Sequence, residues 1–145
     1  ALHDDMLHLH YGTAECRTAV HVVNEHEVEI ELSTSGGNGE LVEAHLTLVA
    51  HLGRALYGDM GICVALGEDA LDWLDPLWIA HAGWHLDLPP GARLYWPVLP
   101  HNPYRKDGAA TVEEARIVVV LPFVENCTQH TLTLSVTDHE SPRSP

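Results

Sequence analysis

The stretch Glu27-Val28-Glu29-Ile30-Glu31-Leu32 alternates carboxylate and hydrocarbon without interruption. Successive side chains of a β-strand point to opposite faces, so this spacing buries Val28, Ile30 and Leu32 and lines up Glu27, Glu29 and Glu31 on the other side. A helix would scatter the same residues around its axis. The period of two returns in Leu41–Leu52, with Val42, Ala44, Leu46, Leu48, Ala50 and Leu52 on one face and Glu43, His45, Thr47 and His51 on the other. It returns again in His130–Thr137, where Leu132, Leu134 and Val136 are expected inside and Thr131, Thr133, Ser135 and Thr137 outside. Three half-buried strands of this kind predict layered sheets.

Working outward, Leu7–Tyr11 and Cys16–Val23 are expected as strands on either side of a Tyr-Gly-Thr corner, after a frayed segment 1–6. The Ser35-Gly-Gly-Asn-Gly39 segment predicts a hairpin turn, since glycine and asparagine tolerate positive φ. Met60–Leu66 is continuously apolar between glycines and predicts a strand covered on both sides, with Cys63 as a small core residue. Glu68–Asp75 suggests one helical turn or a crossing loop, stopped by Pro76. Trp78–Leu88 predicts a strand, or a pair broken near Gly83. Pro89–Ala92 is a turn into the strand Arg93–Leu99, and Ile117–Leu121 a central strand. Residues 97–111 form a long proline-containing excursion. No sustained 3.6-residue period occurs, so the expected fold is an all-β antiparallel sandwich, Ig-like or jelly-roll, with at most one short helical turn. The 145 residues suit a single domain, with segments 1–6 and 138–145 as mobile tails.

Charge narrows the partners. Twenty-one acidic residues against seven basic ones give a net charge of −14, a surface that repels phosphate backbones and anionic lipid. Nucleic acid and membrane are therefore not expected as partners. Protonating all 12 histidines brings the charge to about −2, so mild acid favours association. Three cysteines without Cys-x-x-Cys spacing leave a Cys16–Cys127 disulfide conceivable, and the Asn126-Cys127-Thr128 sequon leaves the compartment open.

Chemistry-bearing clusters are few. His8-x-His10 followed by Glu15 places two imidazoles at alternate strand positions with a carboxylate nearby, a pattern suited to one cation, zinc above others. Its order resembles the first metal motif of cupins over eight residues, which implies a small metal-dependent β-barrel enzyme as the alternative to a cofactor-free module. His81 and His85 flank a glycine and would meet His101 if the chain bends; along one straight strand they stand about 13 Å apart. The Glu27, Glu29 and Glu31 ladder suits a cation or a basic partner in principle, although a flat strand does not wrap a calcium ion and solvation is the simpler expectation.

Large rings concentrate in residues 73–104. Trp84 alternates with Leu86 and Leu88, and Trp96 with Leu94 and Val98, so both tryptophans are expected inside and Tyr95 and Tyr104 outside. The segment His101-Asn102-Pro103-Tyr104-Arg105-Lys106 is the densest polar group, its two cations suited to a carboxylate. Tyr95, His101, Asn102, Tyr104, Arg105 and Lys106 are thus the candidate ligand or partner contacts. The Pro-Pro-Gly turn and Trp-Pro strand resemble accessory sandwiches of carbohydrate-active proteins. Without a nucleophile motif or a phosphate-cradling loop, the expected function is a non-catalytic binding or structural module. Such a module would dock on a larger enzyme or a carbohydrate-related partner, or else assemble with copies of itself.

Overall fold

The computed structural model describes residues 4–11 (backbone), 14–36, 42–99, 115–124 and 128–136. The chain is an all-β sandwich of two antiparallel sheets packed face to face. Its strands are β1 (Asp4–Tyr11), β2 (Ala14–Asn24), β3 (Glu27–Gly36), β4 (Val42–Val49), β5 (Ala55–Gly58), β6 (Cys63–Ala65), β7 (Leu71–Leu74), β8 (Trp78–His81), β9 (Trp84–Asp87), β10 (Arg93–Val98), β11 (Arg116–Phe123) and β12 (Gln129–Val136). The larger sheet runs β1-β2-β3-β12-β9-β8-β5-β6 and the smaller β4-β11-β10-β7. Among the described residues the one helical element is a single 3-10 turn, Asp59–Gly61. No helix there is long and apolar enough to cross a membrane.

The core forms where the alternating faces meet. Leu56, Ile79, Leu86 and Leu132 of the larger sheet close against Leu94, Trp96, Ile117, Val119 and Leu121 of the smaller, all buried. Each such side chain removed from water stabilises the fold by about 1.5–3 kcal/mol before entropy is counted. Ile30, Leu32, Leu46 and Leu48 pack against this core from β3 and β4, as their spacing requires. The buried indole of Trp96 is satisfied, its Nε1 donating to Gly67 O at 2.9 Å. Strand β11 lies between β4 and β10 and is buried on both faces, which accounts for its unbroken Ile-Val-Val-Val-Leu run.

Several expectations are corrected. Strands β3 and β4 belong to different sheets, β3 pairing with β2 and β12 and β4 with β11, so they do not form a hairpin. The 68–75 segment makes a strand, β7, pairing with β10; Leu71 and Trp73 face the core while Asp72 and Leu74 are exposed, a period of two. Only three residues of Met60–Leu66 pair as β6, at the edge of the larger sheet, and Ile62 and Cys63 are exposed. The apolar run alone does not distinguish a central strand from an edge, because neighbours decide coverage. Val98 is exposed because the β10–β11 register shifts after Tyr95, ending the alternation that buries Leu94 and Trp96. Val136, at the end of β12, is 60% exposed, whereas Ser135 is buried instead of facing solvent. Strand β1 begins at Asp4, inside the segment expected to fray. Cys16 is a free thiol, its Sγ 3.9 Å from Thr34 Oγ1; Cys127, the other half of the conceivable disulfide, lies outside the described residues.

Candidate functional site

The outer face of the smaller sheet is built from the polar positions of its strands. Cross-strand register aligns Leu74 with Arg93, Val120 and His45, and Asp72 with Tyr95, Val118 and Thr47. Arg93 is fixed twice. Its Nε and Nη2 donate to Asp72 Oδ1 and Oδ2 at 2.8 and 2.7 Å, and its guanidinium carbon sits 5.3 Å from the centre of the Tyr95 ring. The guanidinium holds the Asp72 carboxyl below the usual carboxylate range, its hydrogen bonds outweighing the opposing desolvation.

Beside this pair lies an open depression of about 430 Å³ lined by Glu43, Leu74, Asp75, Gly91, Ala92, Arg93, Tyr95, Val120 and Pro122. Its wall is ordered by Asp75, whose Oδ1 accepts from Gly91 N at 2.8 Å while its own N–H donates to Ala92 O at 2.8 Å. Asp75 sits at φ 52° and Gly91 at φ 88°, so the crossing from β7 and the turn before β10 hold each other through two left-handed residues. Leu74 stands at the rim, 71% exposed. Tyr95 is half-buried here, not fully outward. Of the other expected contact residues, His101, Asn102, Tyr104, Arg105 and Lys106 lie outside the described residues.

On the larger sheet, the β1–β2 register puts His10 opposite Glu15 and His8 opposite Arg17. The imidazoles of His8 and His10 are outside the described residues. The pairing of His81 with His85 is excluded. Ala82 and Gly83, at φ 46° and 91°, turn β8 directly into β9, as a primed two-residue hairpin requires. Register then pairs His81 with Trp84 and His85 with Ala80, so the two imidazoles project from opposite faces of the sheet. His81 is buried within the sandwich, donating from Nδ1 to Ala55 O at 2.8 Å and accepting the His51 N–H at Nε2 at 2.9 Å. His85 is 5% exposed on the outer face, stacked on Trp78 at 5.1 Å and bonded through Nε2 to Asp87 Oδ1 at 2.9 Å. Its Nδ1 is buried without a hydrogen-bond partner.

The same outer face holds a group that spacing along the chain does not reveal. His21 of β2 pairs directly with Glu29 of β3, and Glu31 reaches its imidazole, with Nε2 and Oε2 3.3 Å apart. One donor atom from each of His21, Glu29 and Glu31 lies within 4.8 Å of the others. The glutamate ladder was visible in the sequence; His21 joins it only through the β2–β3 register. No protein-family model matches the chain, and no curated protein matches it in sequence.

Proposed function

We propose that this chain is a non-catalytic β-sandwich binding module whose ligand face is the outer surface of the smaller sheet around Arg93 and Tyr95. The observation that carries this reading is the depression itself. It combines an apolar floor and rim, Val120, Pro122 and Leu74, with the hydrogen-bonding groups of Glu43, Asp75, Arg93 and Tyr95. A saccharide has that dual character, apolar C–H faces bordered by hydroxyls, and its ring fits a site of this size. The guanidinium clamped by Asp72 supplies a planar surface with its entropy already lost, which reduces the cost of binding. Carboxylates on two sides favour neutral or amino sugars over acidic ones, in keeping with the net charge of −14.

The test is titration of the isotope-labelled chain with neutral, amino and acidic oligosaccharides, followed by amide chemical shifts. Saturable shifts confined to β7, β10 and the 89–92 turn are expected, weakened at least tenfold by Tyr95→Ala or Leu74→Ser with the remaining spectrum unchanged. Absence of saturable binding across the three sugar classes, or shifts confined to the larger sheet, overturns the reading.

A further inference from the structure

We propose that His21, Glu29 and Glu31 form a site for one divalent transition-metal ion, zinc in the first instance, on the outer face of the larger sheet. The site is separate from the depression on the smaller sheet and does not depend on it. Three donors come from two adjacent strands at fixed register: His21 opposite Glu29, and Glu31 two pairs along on the same face, opposite Ala19. Because Ala19 is only a methyl group, no long β2 side chain stands between Glu31 and the imidazole. Strand geometry thus brings together one nitrogen and two carboxylates, donor types that zinc accepts.

The spacing fits the ion. Two ligands at 2.0–2.1 Å from a tetrahedral zinc lie roughly 3.3–3.4 Å apart, and His21 Nε2 is 3.3 Å from Glu31 Oε2. The third donor, a carboxylate oxygen of Glu29, lies within 4.8 Å of the other two and reaches the same centre by a small change in the flexible Glu29 side chain. The His21 and Glu31 side chains are 36% and 37% exposed, open to an incoming ion yet partly withdrawn from water. Two carboxylates held this close on one strand repel each other, and a cation between them relieves that repulsion. A proton on His21 does so weakly, a metal more strongly.

The donor set also selects. Calcium takes six to eight oxygens from a loop that wraps it, which a flat sheet does not offer, whereas zinc needs three or four donors and accepts imidazole. Three protein ligands leave the outward position for water or an exogenous donor.

The experiment uses the full chain stripped of metal by chelator and titrated calorimetrically with zinc at pH 7.5. Stoichiometry is checked by elemental analysis after gel filtration. One equivalent is expected in the parent and in a His8→Ala, His10→Ala double variant. Affinity should fall at least tenfold in both His21→Gln and Glu31→Gln, each with an unchanged far-ultraviolet dichroism spectrum. Cobalt in place of zinc should give visible absorption that the two single variants lose. The proposal is overturned by the absence of stoichiometric binding, by several weak equivalents spread over the histidines, by binding that survives His21→Gln, or by loss that follows His8 and His10 instead. Should Glu31→Gln fail to fold, Glu29→Gln carries the same comparison.

Discussion

The imidazole of His81 accepts the backbone N–H of His51 at 2.9 Å, tying the segment after β4 to the buried strand β8 across thirty residues of sequence. Its other nitrogen donates to Ala55 O, so both ring atoms are used and the neutral form with hydrogen on Nδ1 is the one that fits. Burial pushes this imidazole below its ordinary 6.5; the Ala55 carbonyl opposes the shift, and nearby His51 and Arg54 add to it.

A pH dependence follows. Below about 6.5 the unfolded chain protonates this residue while the folded chain does not, so the unfolded state binds more protons and stability rises with pH. The contribution is complete above 6.5 and is lost as pH falls from there toward the lower folded value, by at most about 1.4 kcal/mol per pH unit. Urea denaturation at pH 7.5 and 5.5 should show a smaller loss in His81→Gln than in the parent, although the variant is less stable at pH 7.5. Equal losses in the two proteins would show that His81 is not the titrating group.

Strand faces were legible in the sequence wherever the two sides of a strand meet different media, as in β4, whose residues alternate between half-buried and exposed along its whole length. What periodicity lacks is the identity of the neighbour. The joining of His21 to Glu29 and Glu31 depends on the β2–β3 register, and register depends on where the chain turns at Glu25-His26. Cys63 and Ile62 look interior because they are apolar, yet both are exposed at the sheet edge, where among the described residues no further strand pairs with β6. Leu71, Trp73 and Leu74 fit one helical turn or a crossing loop as well as a strand, because three apolar residues in four suit either period; pairing with β10 selects the strand. Nothing in the sequence joins Arg93 to Asp72, twenty-one residues apart; the β7–β10 pairing does.

Ala82 occupies a left-handed conformation at φ 46°, which costs an alanine about 1–2 kcal/mol relative to its preferred regions. Glycine relieves this but loses more chain entropy on folding, roughly 0.5–1 kcal/mol. Ala82→Gly should therefore stabilise the chain by up to about 1 kcal/mol. A thermal melt that shifts downward would count against the primed hairpin between β8 and β9.

Leu121 is fully buried in β11, whereas Val124, just past the end of that strand, is 54% exposed. Leu121→Ala should cost about 2–5 kcal/mol through lost burial and the cavity left behind, and Val124→Ala should stay within about 0.5 kcal/mol. Comparable losses in the two variants would mean that β11 is not the centre of the core.

Thiol accessibility tests the placement of β6. Cys63 is exposed on the edge strand, while Cys16 is half-buried in β2 with its sulfur against the Thr34 hydroxyl. A reagent that consumes thiolates reacts in proportion to access when neither thiol is otherwise activated. In a Cys127→Ser background, native protein should show one fast and one slow thiol, and Cys63→Ser should abolish the fast phase. That same substitution removes no buried contact, so stability should change by no more than about 0.5 kcal/mol. If the fast phase instead belonged to Cys16, the strand order at the β6 edge would be wrong, because a Cys63 covered by a further strand is the arrangement its apolar sequence first suggested.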